Sequence, residues 1–203
     1  LDEVLVVSEE DIDQLKGTRS RLAIGTRLTR EEMLHLALMS SENRASSALS
    51  RPYPGGQRAF IAAMNQKAIE LGLADTRFFD STGLDPHNVS SARDLAKMVA
   101  ASSTYPLIRE FSTTRDGSFA VKGKTLHFNN TNALVSSSDW EIALQKTGFT
   151  NEAGKCLVMQ AWLNQKPVVI VLLDSWGRLT RIGDANRIRR WVEHLALQGA
   201  GAG

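Results

Sequence analysis

"WEIALQKTGFTNEAGKCLVMQAWLNQKPVVIVLLDSW", residues 140–176, contains three apolar runs separated by short polar breaks. The runs "WEIALQKTG", "KCLVMQAWL" and "PVVIVLLDSW" read as three strands, the last two joined across "NQKP". Strand alternation predicts that Trp140, Ile142 and Leu144 share a buried face, with Lys146 placed where that face runs out. Just upstream, "FAVKGKTLHF" predicts a hairpin around Lys122-Gly123. Downstream, Ile188, Trp191, Val192 and Leu195 recur at helical spacing and predict a closing amphipathic helix, followed by a "GAGAG" tail expected to fray.

Further towards the N-terminus the pattern changes to helices. "LTREEMLHLALM" starts with a capping box, in which Thr29 accepts from the backbone of Glu32 and the Glu32 side chain reaches back. "GGQRAFIAAMNQKAIELGL" places Phe60, Ile61, Met64, Ala68 and Leu71 on one face and ends at Gly72. "SSARDLAKMVAASS" repeats the box with Ser91 and Asp94 and turns Leu95, Met98 and Val99 inward. "YPLIREF" is a short helix with Pro106 in its first turn, and "EVLVVS" at residues 3–8 suits a short strand. A helix-rich middle between sheet-forming ends is an α+β plan. One domain over residues 1–203 is expected, with a helical lobe at about 26–115 and a sheet lobe at about 1–25 and 116–198. Ligands of such a plan sit where the lobes meet.

Composition narrows the function. Hydrophobic content of 42% and charged content of 23% are ordinary for a globular chain. The net charge is +2 and the basic residues are scattered, so nucleic acid is not expected as a partner. The dense group "RIRR", residues 187–190, reads as a solvated helix face. The single cysteine, Cys156, excludes an intrachain disulfide and lies in an apolar run, which predicts a buried, inert thiol. No stretch is apolar enough for a transmembrane segment, and the acidic opening "LDEVLVVSEED" is not a signal peptide. The histidines at 35, 87, 127 and 194 share no metal-ligand spacing, and His35 in its apolar helix is expected to pack. No nucleotide-binding glycine pattern and no G-x-S-x-G elbow occur, so neither metal nor cofactor is expected.

Two short motifs remain. The helix ending in "LALMSSENRASSAL", residues 36–49, is interrupted by Ser41-Glu42-Asn43. Residues two apart point to different sides of a continuous helix, so Ser41 and Asn43 can serve one site only if the helix ends there. A helix-terminal turn with both side chains satisfying backbone groups is the structural alternative. The second motif is Lys146-Thr147-Gly148: a cation, a hydroxyl and an open position at a strand edge suit an extended peptide ending in a carboxylate. A strand exit with a snorkelling lysine is the structural alternative.

Together these motifs resemble the Ser-x-Asn and Lys-Thr-Gly signatures of penicillin-binding proteins and class A β-lactamases. "GTRLTREEMLHLALMSSENRA", "FFDSTGLDPHNVSSARDLAKM" and "LQKTGFTNEAGKCLV" resemble consecutive blocks of the low-molecular-mass penicillin-binding proteins, nearest to their D-alanyl-D-alanine endopeptidase branch. The resemblance runs from Leu1 to the final helix. It implies a β-lactamase/transpeptidase-like α+β fold, an antiparallel sheet flanked by helices plus a helical lobe. It also implies a periplasmic serine D,D-peptidase with peptidoglycan peptide stems as substrate and β-lactam antibiotics as inhibitors. Carried over residue by residue, Ser41 relays a proton to the leaving group, Asn43 holds the substrate amide and Lys146 tunes the relay. Thr147 binds the terminal carboxylate, and Gly148 leaves room.

One departure matters. The family's first motif, Ser-x-x-Lys, supplies nucleophile and base, and no serine here has a lysine three residues later. The nucleophile is expected upstream of Leu1, which makes an N-terminal fragment of the same protein a further candidate partner. Endopeptidase is the leading expectation, with D,D-carboxypeptidase and a non-catalytic peptidoglycan-binding module as alternatives. β-Lactamase is disfavoured, because no deacylating glutamate stands in a recognisable setting.

Overall fold

A computed structural model describes residues 1–200; residues 201–203 of the expected frayed tail lie outside the described residues. The chain opens with β1 (Val4–Val6), paired antiparallel with β2 (Arg27–Thr29). Helices α1 (Arg30–Ser40), α2 (Asn43–Ser50), α3 (Gly56–Glu70), α4 (Ala92–Ser102) and α5 (Pro106–Thr113) follow. The hairpin of β3 (Asp116–Val121) and β4 (Lys124–Asn129) comes next. Strands β5 (Glu141–Thr150), β6 (Gly154–Leu163) and β7 (Lys166–Ser175) form an antiparallel sheet in that order, and α6 (Thr180–Ala200) closes the chain.

Local chemistry accounts for these elements. At α1, Thr29 Oγ1 accepts from Glu32 N at 3.1 Å, and Thr29 N donates to Glu32 Oε2 at 2.7 Å, which completes the expected box. The β3–β4 and β6–β7 hairpins turn through paired left-handed residues, Lys122-Gly123 and Asn164-Gln165, whose twist matches that of the strands. The box at α4 is half formed. Ser91 Oγ accepts from Asp94 N, but the Asp94 carboxylate turns away to Asp75 N (2.7 Å) and Thr76 Oγ1 (2.9 Å).

Two cores form. The first joins Leu5, Val7 and Leu22 to Met33, Leu36 and Met39 of α1 and to Phe119, Val121 and Phe128 of the β3–β4 hairpin. His35 packs beside this core as expected, stacked on Phe111 with ring centroids 4.5 Å apart. Arg51 at the end of α2 grips the buried Asp11 through two bonds of 2.8 and 2.9 Å and reaches Val6 O, tying α2 to the opening segment. The second core packs Leu157, Met159, Ala161 and Ile170 against Ile182, Ala185, Ile188 and Val192 of α6.

The packing departs from the expected lobe boundaries. Residues near 5–22 and the hairpin at 116–129 pack into the helical core, because their apolar alternation meets α1 rather than the sheet. On α6 the buried stripe passes through Ile188 and Val192, while Trp191 and Leu195 flank it and stand exposed. Along α3 only Ala68 is fully buried, and Phe60, Ile61, Met64 and Leu71 are half-buried at the rim.

The decisive irregularity lies in β5. Ile142 pairs with Ala161 and Leu144 with Gln160, so Ala143 is an extra residue, a β-bulge. Paired residues share a face, and one inserted residue reverses every side chain beyond it. Trp140 and Ile142 therefore face α6, whereas Leu144 and Lys146 face the opposite side, correcting the strict alternation expected from the sequence. Gln145 is carried inward and fully buried, where its Nε2 donates to Ser112 O (2.6 Å) and Asn130 Oδ1 (2.9 Å). Asn130 in turn donates to Ser112 O and Thr114 O, and Thr131 N donates to Met39 O, the last turn of α1. This network fastens β5 to α5 and α1.

Replacing Gln145 by Leu removes its two side-chain hydrogen bonds, while Ser112 O keeps Asn130 Nδ2 and Asn130 Oδ1 keeps Asn132 N as donors. Each lost hydrogen bond contributes about 0.5–1.5 kcal/mol net, so the variant should lose about 1–3 kcal/mol in urea unfolding. A midpoint equal to that of the parent would show that the network contributes nothing.

Candidate active site

Helix α1 stops at Ser41, which adopts a left-handed backbone with φ of 53° and donates its N–H to Leu36 O. Such a conformation is rare without glycine, and it swings the chain out of the helix. Glu42 is buried beneath the corner, caps α2 by accepting from Ala45 N (2.8 Å) and takes a hydrogen bond from the Ser20 hydroxyl. Asn43 Nδ2 donates to Thr18 Oγ1 at 3.2 Å. The break meets the condition for Ser41 and Asn43 to share a site, and both line one cleft of about 500 Å³.

Lys146, Thr147 and Gly148 form the opposite wall. Lys146 Nζ donates to Ser41 Oγ, 105 residues away in the chain, and to Thr147 O at 3.0 Å. Thr147 Oγ1 shares a 2.6 Å hydrogen bond with Thr131 Oγ1. A side chain at position 148 would meet only Cys156 at ordinary contact distance, so internal packing does not require glycine there; the space opens to the cleft. The structure thus brings Ser41, Asn43, Lys146, Thr147 and Gly148 together.

Three features escape the sequence reading. Arg181, in the first turn of α6, donates to Gly148 O (3.3 Å) and Cys156 O (3.0 Å) and lines the cleft, yet nothing in its local sequence separates it from a solvated arginine. Thr82, Gly83 and Leu84 line the cleft from a loop closed by the Arg77–Val89 bridge. Asp80 shapes that loop by accepting from the backbone of Thr82 and Gly83, at 3.0 and 3.1 Å. Glu42, the middle residue of its motif, is structural. Cys156 departs from expectation: it is half-buried and lines a second cavity, because β6 turns Leu157 and Met159 to the core and Cys156 and Val158 to the other face.

Electrostatics single out Lys146. Burial, helped by the nearby Arg181 charge, pulls its ammonium down from 10.5 to about 8. The ammonium is therefore present below about pH 8 and gives way to the neutral amine above it. An NMR titration of the lysine side chains should find Lys146 with a midpoint near 8, and Arg181→Gln should raise it. A midpoint at the ordinary lysine value of about 10.4 would refute the enclosure.

Comparisons with known proteins place the chain in a family. The family model described as D-alanyl-D-alanine carboxypeptidase matches residues 2–177, and the chain belongs to that family. The D-alanyl-D-alanine endopeptidase of Escherichia coli is 51% identical over 195 residues, covering 95% of this chain and 63% of that protein. The D-alanyl-D-alanine endopeptidase of Pseudomonas aeruginosa is 49% identical over 195 residues, again 95% of this chain and 63% of the relative. The chain therefore spans less than two thirds of the length of these two relatives. Among solved structures, the Streptomyces K15 DD-transpeptidase matches with a TM-score of 0.85 at 28% identity, over 94% of this chain and 79% of that one. The expected α+β transpeptidase-like fold is the one observed.

Proposed function

We propose that this chain is the larger part of a serine D,D-peptidase that cuts D-alanyl cross-links in peptidoglycan through an acyl-enzyme. The carrying observation is the contact of Lys146 with Ser41, which sets an ammonium and a hydroxyl side by side at the back of a peptide-sized cleft. In this reading a serine of an upstream Ser-x-x-Lys attacks the carbonyl of the penultimate D-alanine. The amide bond breaks, the leaving amine takes its proton through Ser41, and water later hydrolyses the ester. Lys146 holds positive charge against the relay, and Asn43 hydrogen-bonds the substrate amide. Thr147 and Arg181 supply a hydroxyl and a cation for the carboxylate end, and Gly148 admits the peptide backbone.

The names of the two relatives near 50% identity support endopeptidase; the family description supports carboxypeptidase as the second reading. The substrate would place the protein outside the cytoplasm, in the periplasm, with peptidoglycan stems as partners and β-lactams as inhibitors. Among the described residues no helix is long and apolar enough to cross a membrane.

Labelled penicillin tests the reading. The 203-residue chain should form no stable adduct, while the full gene product carrying the upstream motif should be labelled stoichiometrically. Replacing the upstream serine should abolish the label. An adduct on a serine within these residues would show the nucleophile wrongly assigned. In the full product, Lys146→Ala should slow acylation at least about tenfold, equivalent to about 1.4 kcal/mol of barrier. An unchanged rate would remove Lys146 from the chemistry.

A further inference from the structure

The two sides of the cleft come from opposite halves of the chain. Thr18, Ser41 and Asn43 belong to one side, and the β5 segment from Lys146 to Thr150 to the other. The loop that carries Thr18 is tied down at several points. Asp13 Oδ1 accepts from Leu15 N and Lys16 N at 2.8 and 3.1 Å, and its Oδ2 accepts from Thr18 N at 2.9 Å. A carboxylate that gathers its neighbours' backbone donors fixes a turn. Asp11 is held by Arg51, Thr18 Oγ1 accepts from Asn43 Nδ2, and Ser20 donates to the buried Glu42. The loop therefore moves with the helical wall.

From this loop Lys16 reaches over to the tip of the β5–β6 hairpin. Its Nζ donates to both carboxylate oxygens of Glu152 at 2.7 Å, although 136 residues separate the pair. Glu152 stands in the turn two residues beyond Thr150, where Ala153 N donates to Thr150 Oγ1 at 3.1 Å. Lys146 and Ser41 span the cleft at its back, and Lys16 and Glu152 tie the same two walls at the hairpin end. The Lys16 side chain is 21% exposed and that of Glu152 50%. A pair so open to water contributes little to global stability. What it constrains is the separation of the two elements that carry it.

We propose that the Lys16–Glu152 pair is a strap that holds the hairpin tip against the Thr18 loop and so sets the width of the cleft. The proposal rests on the peptidase reading for its consequence. Lys16 and Glu152 are positioning residues, acting through the wall segments at Thr18 and Lys146–Thr150. Hairpin tips open locally at low cost, and the strap raises that cost. When it is released the tip swings away from Asn43 and the peptide loses one side of its grip. Lys146 and Ser41 keep their own bond at the back, so the chemical step is spared. The strap is a non-covalent contact, and its release changes no bond.

The test uses the full gene product, its Lys16→Glu variant and the charge-swapped double variant Lys16→Glu, Glu152→Lys. Acylation by a labelled penicillin is followed over a range of concentrations, which separates half-saturation from the saturating rate. Lys16→Glu replaces attraction by repulsion and should raise the half-saturating concentration at least about fivefold, with the saturating rate within about twofold of the parent. The swapped pair should return half-saturation to within about twofold, because the interaction and not either residue is what matters. Backbone hydrogen exchange around Lys16 and Ala153 should quicken in the single variant and slow again in the swap. A swap that fails to restore half-saturation, or a loss confined to the saturating rate, would overturn the strap. So would equal exchange in all three proteins. A parent that takes no label, with the exchange pattern as expected, would overturn the peptidase reading and leave the strap standing.

Discussion

Lys146 bonded to Ser41 joins the sheet to the end of α1. The ammonium belongs to the edge strand of the sheet, and the hydroxyl to the end of a helix in the other core. Their meeting requires three separate backbone decisions. Ala143 must bulge, or Lys146 would point to α6. Gln145 must lie buried among Ser112 and Asn130, or β5 would not be held against α5. Ser41 must leave the helix left-handed, or its side chain and that of Asn43 would diverge. The cleft exists where these conditions coincide.

Placing a cation in such an enclosure is unfavourable, and burial therefore pulls Lys146 down to about 8. Arg181 adds to it by contributing positive potential from the first turn of α6. An anion entering the cleft would relieve both, so the unliganded site is electrostatically prepared for a carboxylate before any substrate contact is made. The second cavity carries the opposite polarity through Asp85, Glu152 and Asp174. Two neighbouring chambers of opposite sign are thus divided by one strand.

Signals confined to a few neighbouring residues were legible in the sequence. The Thr29–Glu32 box, the Lys122-Gly123 turn, Pro106 and the three strand runs each depend on short-range chemistry, and each element formed. What stayed hidden depends on partners distant in the chain. The bulge at Ala143 leaves no local mark, because alanine fits either conformation. Trp191 and Leu195 have helical spacing, but whether they are covered depends on the width of the sheet beneath α6. Arg181 looks solvated until β5 and β6 bring their carbonyls to it. Within the site, Ser41, Asn43 and the Lys-Thr-Gly strand stand out as motifs, whereas nothing local assigns the loop shaped by Asp80 to the cleft.

The left-handed backbone of Ser41 has a bearing on how the position evolves. An L-residue held there costs about 1–2 kcal/mol that glycine would not. Under selection for thermal persistence alone, drift at this codon would run towards glycine, and the corner would keep its shape. A serine at this position therefore forgoes stability that glycine would keep. By the same logic, a library of this protein screened only for solubility or heat resistance would favour glycine at residue 41 whatever the hydroxyl does in the cleft.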